Sequence, residues 1–165
     1  MERPFSHVNA VGKLRMVDVT NKRLTRRQAL ARCLVVTSVD IGALETRLDD
    51  IDPVLCARIA GVSAAKRTAE IIPLCHTLNL NDVDVELRQN ERGIEVTTTV
   101  TATQRTGVEM EALTACAFAA LSIVDALQSK DPHASIEELL VLKKEGGESG
   151  SWGRLVEDAA KKSSG

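Results

Sequence analysis

The chain has 165 residues, 44% of them hydrophobic and 27% charged, with a formal net charge of -2. That length is enough to bury a real core in one domain, and the composition is that of an ordinary soluble globular protein. Two Phe, one Trp and no Tyr leave too few rings for a base-stacking platform, and the slightly acidic balance offers a nucleic-acid backbone no general attraction.

No apolar run is read as reaching membrane-spanning length. Met1-Glu2-Arg3-Pro4 lacks the apolar stretch of a secretory leader, so the expected compartment is the cytoplasm. Cys33, Cys56, Cys75 and Cys116 form no Cys-x-x-Cys pair, and each lies among apolar residues. Buried free thiols are therefore expected, not disulfides or zinc ligands. With three scattered histidines, no protein-built metal site is expected.

Residues 1–12 read as a loosely held arm, and Met16-Val17-Asp18-Val19 as a short strand. Basic residues follow at Lys22, Arg23, Arg26 and Arg27. Gln28 to Thr37 mixes helix formers with β formers, and strand is the reading chosen for most of it. Ser38 is expected to cap a short helix with a stripe of Ile41, Leu44 and Leu48. Asp52-Pro53 opens a longer helix, with Asp at the cap and Pro in the first turn, that runs until Pro73. Its many small residues predict close packing against a sheet or a second subunit.

Val83, Val85 and Leu87 alternate with charged residues, and Ile94, Val96, Thr98 and Val100 do so after a turn. Period two on both sides of a turn predicts a hairpin with one buried face. Thr106 to Ser129 then reads as a long helix, apolar all round and hence central to the fold, ended by Asp131-Pro132. Ile136 to Leu142 is the last expected strand, followed by a flexible Gly-rich loop after Lys144. The order of elements predicts an α+β ferredoxin-like sandwich, an antiparallel sheet with helices packed on one face. One domain is expected over 1–165, with the arm at 1–12, the main body at 13–156 and a disordered tail at 157–165.

Three groups of residues could carry chemistry. Thr106 and Glu109 have the spacing of a capping box, in which each satisfies an exposed amide of the other. Glu111, two positions on, is outside that box. Asp125 lies deep in the apolar helix, where an unpartnered carboxylate costs several kcal/mol, roughly, so it is either structurally paired or functional. Leu74-Cys75-His76 follows the rigid Pro73 in a loop between helix and strand. Arg58, Lys66 and Arg67 either line an anionic pocket or solvate a helix face.

Taken together, Met16–Val19, Ala57-Arg58-Ile59-Ala60-Gly61, Ala64–Thr68, Ile72–His76 and Thr106–Ala115 resemble cyclic pyranopterin monophosphate synthases, the MoaC family. The resemblance covers roughly Ser6 to Gly153. It implies conversion of 3′,8-cyclo-7,8-dihydroguanosine 5′-triphosphate to cyclic pyranopterin monophosphate, with release of pyrophosphate, in molybdenum cofactor biosynthesis. No cofactor and no metal are expected, and the composition predicts no nucleic-acid or membrane partner. The resemblance also implies a homohexamer, a trimer of dimers with active sites at a dimer interface. By the same resemblance, Asp125 and Lys144 would be catalytic. Leu74, Cys75, His76, Met110 and Glu111 would contact substrate, Glu109 would line the pocket, and Arg58, Lys66 and Arg67 are the further candidates for substrate binding. The chain departs from the family pattern at Asp50 and Gln128, where the family has lysines, and at Thr77 and Glu148. The alternative that follows is a catalytically degenerate paralogue that serves as a binding or assembly partner.

Overall fold

A computed structural model describes residues 6–9, 11–45, 52–147 and 150–154. Its frame is the long strand β1 (Thr25–Val36), whose Ala29, Ala31, Cys33 and Val35 alternate into the core. β1 pairs antiparallel with β3 (Gly93–Gln104) on one edge and with β4 (Ser135–Glu145) on the other. β2 (Asp82–Asn90) extends the sheet beyond β3, and β5 (Trp152–Gly153) extends it beyond β4. The order is β2-β3-β1-β4-β5, and every pairing is antiparallel. Helices cover one face, so the architecture is the α+β ferredoxin-like sandwich.

The predicted hairpin is the β2–β3 pair, with Val85 and Leu87 facing Thr98 and Val96 on the buried side. The predicted strand at Met16–Val19 is absent. That segment joins no ladder, and Val17 and Val19 are half-buried because they line a cavity. The arm before it is built rather than loose over its described residues. Asn9 Oδ1 accepts from the amides of Val11 (3.1 Å) and Lys13 (2.9 Å), and Arg15 N–H donates to the His7 carbonyl at 2.8 Å.

The short helix α1 (Gly42–Glu45) is capped by Asp40, whose Oδ1 accepts from Gly42 N at 2.8 Å, and not by Ser38. Leu48 lies outside the described residues. In α2 (Pro53–Lys66) the expected cap is present, with Asp52 Oδ1 accepting from Leu55 N at 3.0 Å. The helix breaks at Arg67, and a separate turn, α3 (Thr68–Ile71), completes the stretch before Pro73. Gly61 lets α2 approach α4 (Glu109–Leu127) closely: a Cβ there would meet the Ala115 carbonyl and the Ala119 side chain. The small residues of α2 thus serve packing within the chain.

The inner side of α4 is buried through Ala112, Ala115, Cys116, Ala119, Ile123 and Leu127. Each large aliphatic side chain so buried contributes about 1.5–3 kcal/mol. Two expectations fail here. First, α4 is not covered all round, since Met110, Phe118 and Leu121 are exposed, and so is Asp125. The sheet and α2 occupy only part of its circumference. Second, it ends at Leu127, whose carbonyl accepts from the amides of Lys130 and Asp131, before Pro132 is reached. α4 also has the length and mean hydropathy (1.6) of a membrane span, contrary to the reading of the sequence, yet half of it is buried inside this fold.

Candidate active site

A cavity of about 590 Å³ opens where five parts of the chain meet. Pro73 stops the helical stretch and sends Leu74, Cys75 and His76 along one wall. Arg105–Gly107 and the first turn of α4, with Glu109, Met110 and Glu111, form a second wall. Lys144 reaches in from β4, and Arg27 from β1. The N-terminal segment closes the site with His7, Val17, Val19 and Lys22.

Seven of the expected residues therefore share one cavity: Leu74, Cys75, His76, Glu109, Met110, Glu111 and Lys144. Arg58, Lys66 and Arg67 do not line it. All three are exposed, and Arg67 pairs with Glu70 at 2.8 Å. Asp125 is fourteen positions beyond Glu111 on the same helix, about 21 Å along its axis at 1.5 Å per residue. Its carboxylate makes no hydrogen bond or ion pair among the described residues, and Gln128, one turn on, is exposed as well. Asp50 and Glu148 lie outside the described residues.

The capping box does not form. α4 begins at Glu109 itself, its N-cap is Val108, and no side chain caps the first turn. The Glu109 carboxylate pairs instead with Lys144 at 2.9 Å, with both side chains largely screened from solvent. Glu111 is only 4% exposed. Burial lifts its carboxyl from the ordinary 4.5 to about 7; the bond from its own backbone N–H opposes this, and the charge of Glu109 adds to it. Such a group can give or take a proton near neutral pH.

The thiols divide differently from expectation. Cys33 and Cys116 are buried, but Cys75 is half-buried in the cavity wall and Cys56 is exposed. Burial, and then the charge of Glu111, pushes the Cys75 thiol up, so at neutral pH it is a neutral thiol and not a nucleophilic thiolate. Cys116 sits 3.3 Å from Cys33 (Sγ to Sγ), and that hydrogen bond, together with burial, raises its pKa too.

Arg27 is a fixed cation. Its Nε donates to the Gln104 carbonyl and its Nη2 to the Arg105 carbonyl, each at 3.3 Å. The loop after β4 closes over it: Gly147 has φ +91, and any side chain there would collide with the guanidinium. Glycine at position 147 thus leaves room for the guanidinium, which the two carbonyls hold. Altogether the cavity presents Lys22, Arg27, Arg105 and Lys144 against two carboxylates, suited to a polyanionic ligand and to proton exchange at its acidic wall. Among the described residues no cluster of His, Cys, Asp and Glu could hold a metal ion.

Sequence reasoning passed over His7, Lys22, Arg27 and Arg105. For Arg27 the signal was available, because it shares the inward alternation of Ala29 and Ala31 and ends that buried row with a charge.

Residues 16–147 match the MoaC family. The chain belongs to that family. It is 47% identical over 152 residues to cyclic pyranopterin monophosphate synthase 2 of Mycobacterium tuberculosis, covering 91% of each chain. It is 44% identical over 154 residues to the cyclic pyranopterin monophosphate synthase of Chloroflexus aurantiacus, covering 91% of this chain and 94% of the relative. A similar likeness, 44% over 152 residues, holds for the synthase of Streptomyces coelicolor. The MoaC match spans every wall of the cavity except its N-terminal closure at Ser6 and His7.

Proposed function

We infer that the chain is a lyase of molybdenum cofactor biosynthesis. It converts 3′,8-cyclo-7,8-dihydroguanosine 5′-triphosphate to cyclic pyranopterin monophosphate and releases pyrophosphate. The observation that carries this reading is the convergence of Leu74–His76, Glu109–Glu111 and Lys144 on one cation-rich cavity in a MoaC fold.

The charges fit the substrate. At an effective dielectric of ~20, a cation 4 Å from a phosphate charge contributes about 4 kcal/mol, and the arginines and lysines of the wall supply several such contacts. The same groups stabilise the charge that develops as pyrophosphate departs. Glu111 is the acid–base group of the cavity, and the Lys144–Glu109 pair orients a second proton carrier beside it.

Asp125 enters this scheme from a second copy. Within one chain it is too far along α4 to reach the cavity. It shares an exposed stripe with Met110, Phe118 and Leu121, and Leu55 and Ile59 of α2 are exposed too. Exposed apolar residues grouped in this way mark an interaction surface. If two copies of α4 cross antiparallel about a two-fold axis near Phe118, Asp125 of one falls opposite Glu111 of the other, because both lie seven positions from that centre. Arg58 and Lys66 would then approach the interface from α2. Three such dimers would make the hexamer, in the cytoplasm.

The experiment is incubation of the purified chain with the cyclised nucleotide, with detection of pyranopterin product and pyrophosphate. Turnover is expected with Asp50 and Gln128 as they stand. A non-catalytic paralogue would form no product and would gain activity on Asp50→Lys plus Gln128→Lys.

A further inference from the structure

Gly107 stands between β3 and α4, in the cavity wall that also carries Glu109 and Glu111. A Cβ at this position would lie 1.8 Å from Glu109 Oε2, 2.6 Å from Glu109 Cδ and 2.8 Å from Glu109 Oε1. Ordinary van der Waals contact begins at 3.4 Å. The Glu109 carboxylate therefore occupies the space that any side chain at position 107 would take.

Two features bring the carboxylate there. Side chains on a helix lean toward its N-terminus, so that of Glu109, the first residue of α4, extends back over residue 107. Lys144 of β4 then holds it, with Nζ 2.9 Å from Oε1. Backbone conformation does not call for the glycine, because its φ lies outside the left-handed region, unlike those of Gly146 and Gly147 at +85 and +91. Core packing does not call for it either. At Gly61 an added Cβ would meet the Ala115 carbonyl, which is fixed backbone. At Gly107 the three nearest atoms all belong to the movable end of Glu109, so an alanine would displace the carboxylate and leave the core as it is.

We propose that Gly107 is a positioning residue for the reaction: its lack of a side chain seats the Glu109 carboxylate against Lys144, and any larger residue there would unseat it. The inference deepens the synthase reading and rests on it, since the seated pair is the second proton carrier of the cavity. Gly107 acts through Glu109 and touches no reacting atom.

The test compares Gly107→Ala, Glu109→Ala and the double variant in the full-length protein, by turnover of the cyclised nucleotide, melting temperature and crystal structure. A small misplacement of a catalytic group costs about 10²-fold, so Gly107→Ala should lower kcat by about that factor while KM changes by less than about threefold. Glu109→Ala should lose about as much. In the Glu109→Ala background the added methyl group has no carboxylate to displace, so the double variant should match Glu109→Ala within about twofold. The melting temperature of Gly107→Ala should stay at the wild-type value, and its crystal structure should show Glu109 and Lys144 more than about 4 Å apart, beyond ion-pair reach. Losses that multiply in the double variant would overturn the proposal, because the glycine would then serve something other than Glu109, such as close approach of its backbone to the ligand. An intact Glu109–Lys144 pair in the Gly107→Ala structure would overturn it too, as would a melting temperature lowered by Gly107→Ala in both backgrounds, which would make the glycine structural. A wild-type chain that forms no pyranopterin would refute the synthase reading alone, and the crystal structures would still decide whether Gly107 seats Glu109.

Discussion

The two ends of α4 carry acids in opposite surroundings. At the near end Glu111 is buried in the cavity and Glu109 is paired with Lys144. At the far end the Asp125 side chain is exposed, its carboxylate unpaired among the described residues, and Gln128 beside it is exposed as well. The near end is finished by its own chain, from β1, β4 and the N-terminal turn. The far end holds an exposed carboxylate and lines no part of the cavity, so a role for Asp125 in the proposed reaction requires a second copy.

The largest expected effect is at the far end. Asp125→Asn should lower kcat by about 10²- to 10⁴-fold, the range for removal of an acid–base group. Because the side chain is exposed, stability should move by no more than about 0.5 kcal/mol, read from chemical denaturation. Comparable activity in the variant would show that the far end has no part in catalysis. Next comes the surface between the ends. Phe118→Asp should split the assembly into folded subunits, seen by light scattering, with activity lost alongside. A variant that stays assembled and active would place the contact elsewhere.

At the near end Glu111 gives a pH signature. Its folded-state pKa of about 7 exceeds the ordinary 4.5, so the folded chain binds this proton more tightly than the unfolded chain does. Its stabilising contribution is full below about pH 4.5 and is lost as the pH rises through about 7. Glu111→Gln should therefore gain stability relative to the wild type between pH 4 and pH 8, by up to about 3 kcal/mol, while losing activity. A pH-independent difference would mean that Glu111 is solvated. The smallest effect is at the N-terminal turn. Gly12 has φ +77, and Gly12→Ala strains that turn by about 1 kcal/mol. It should leave the melting temperature of the body unchanged, read by calorimetry.

The sheet was legible in the sequence because a period of two is a local property: the alternation of Val83 to Leu87 and of Ile94 to Val100 states both the strands and their buried face. The cap of α2 was legible for the same reason, since Asp52 and Pro53 act on adjacent amides. Glu109 misled because a capping box is also local, and the lysine that competes for its carboxylate comes from a strand 35 positions away. Asp125 misled in another way. An apolar periphery reports what a helix prefers, but how much of it is covered depends on the partners the rest of the chain can supply, here one sheet face and α2. Val17 and Val19 read as a strand because their alternation reports burial, and the burial is against a cavity.

The central claim is that Asp125 completes the cavity of a second copy, and subunit mixing tests it most directly. Asp125→Asn and Lys144→Ala are each expected to be inactive alone. When the two variants are unfolded together and refolded, half of the dimers pair one copy of each. In such a dimer, one site combines an intact cavity with an intact Asp125. About a quarter of the wild-type activity should return, the fraction expected for a two-fold interface with random pairing. Mixed dimers that form, as detected by differential tagging, and yet stay inactive would contradict the claim.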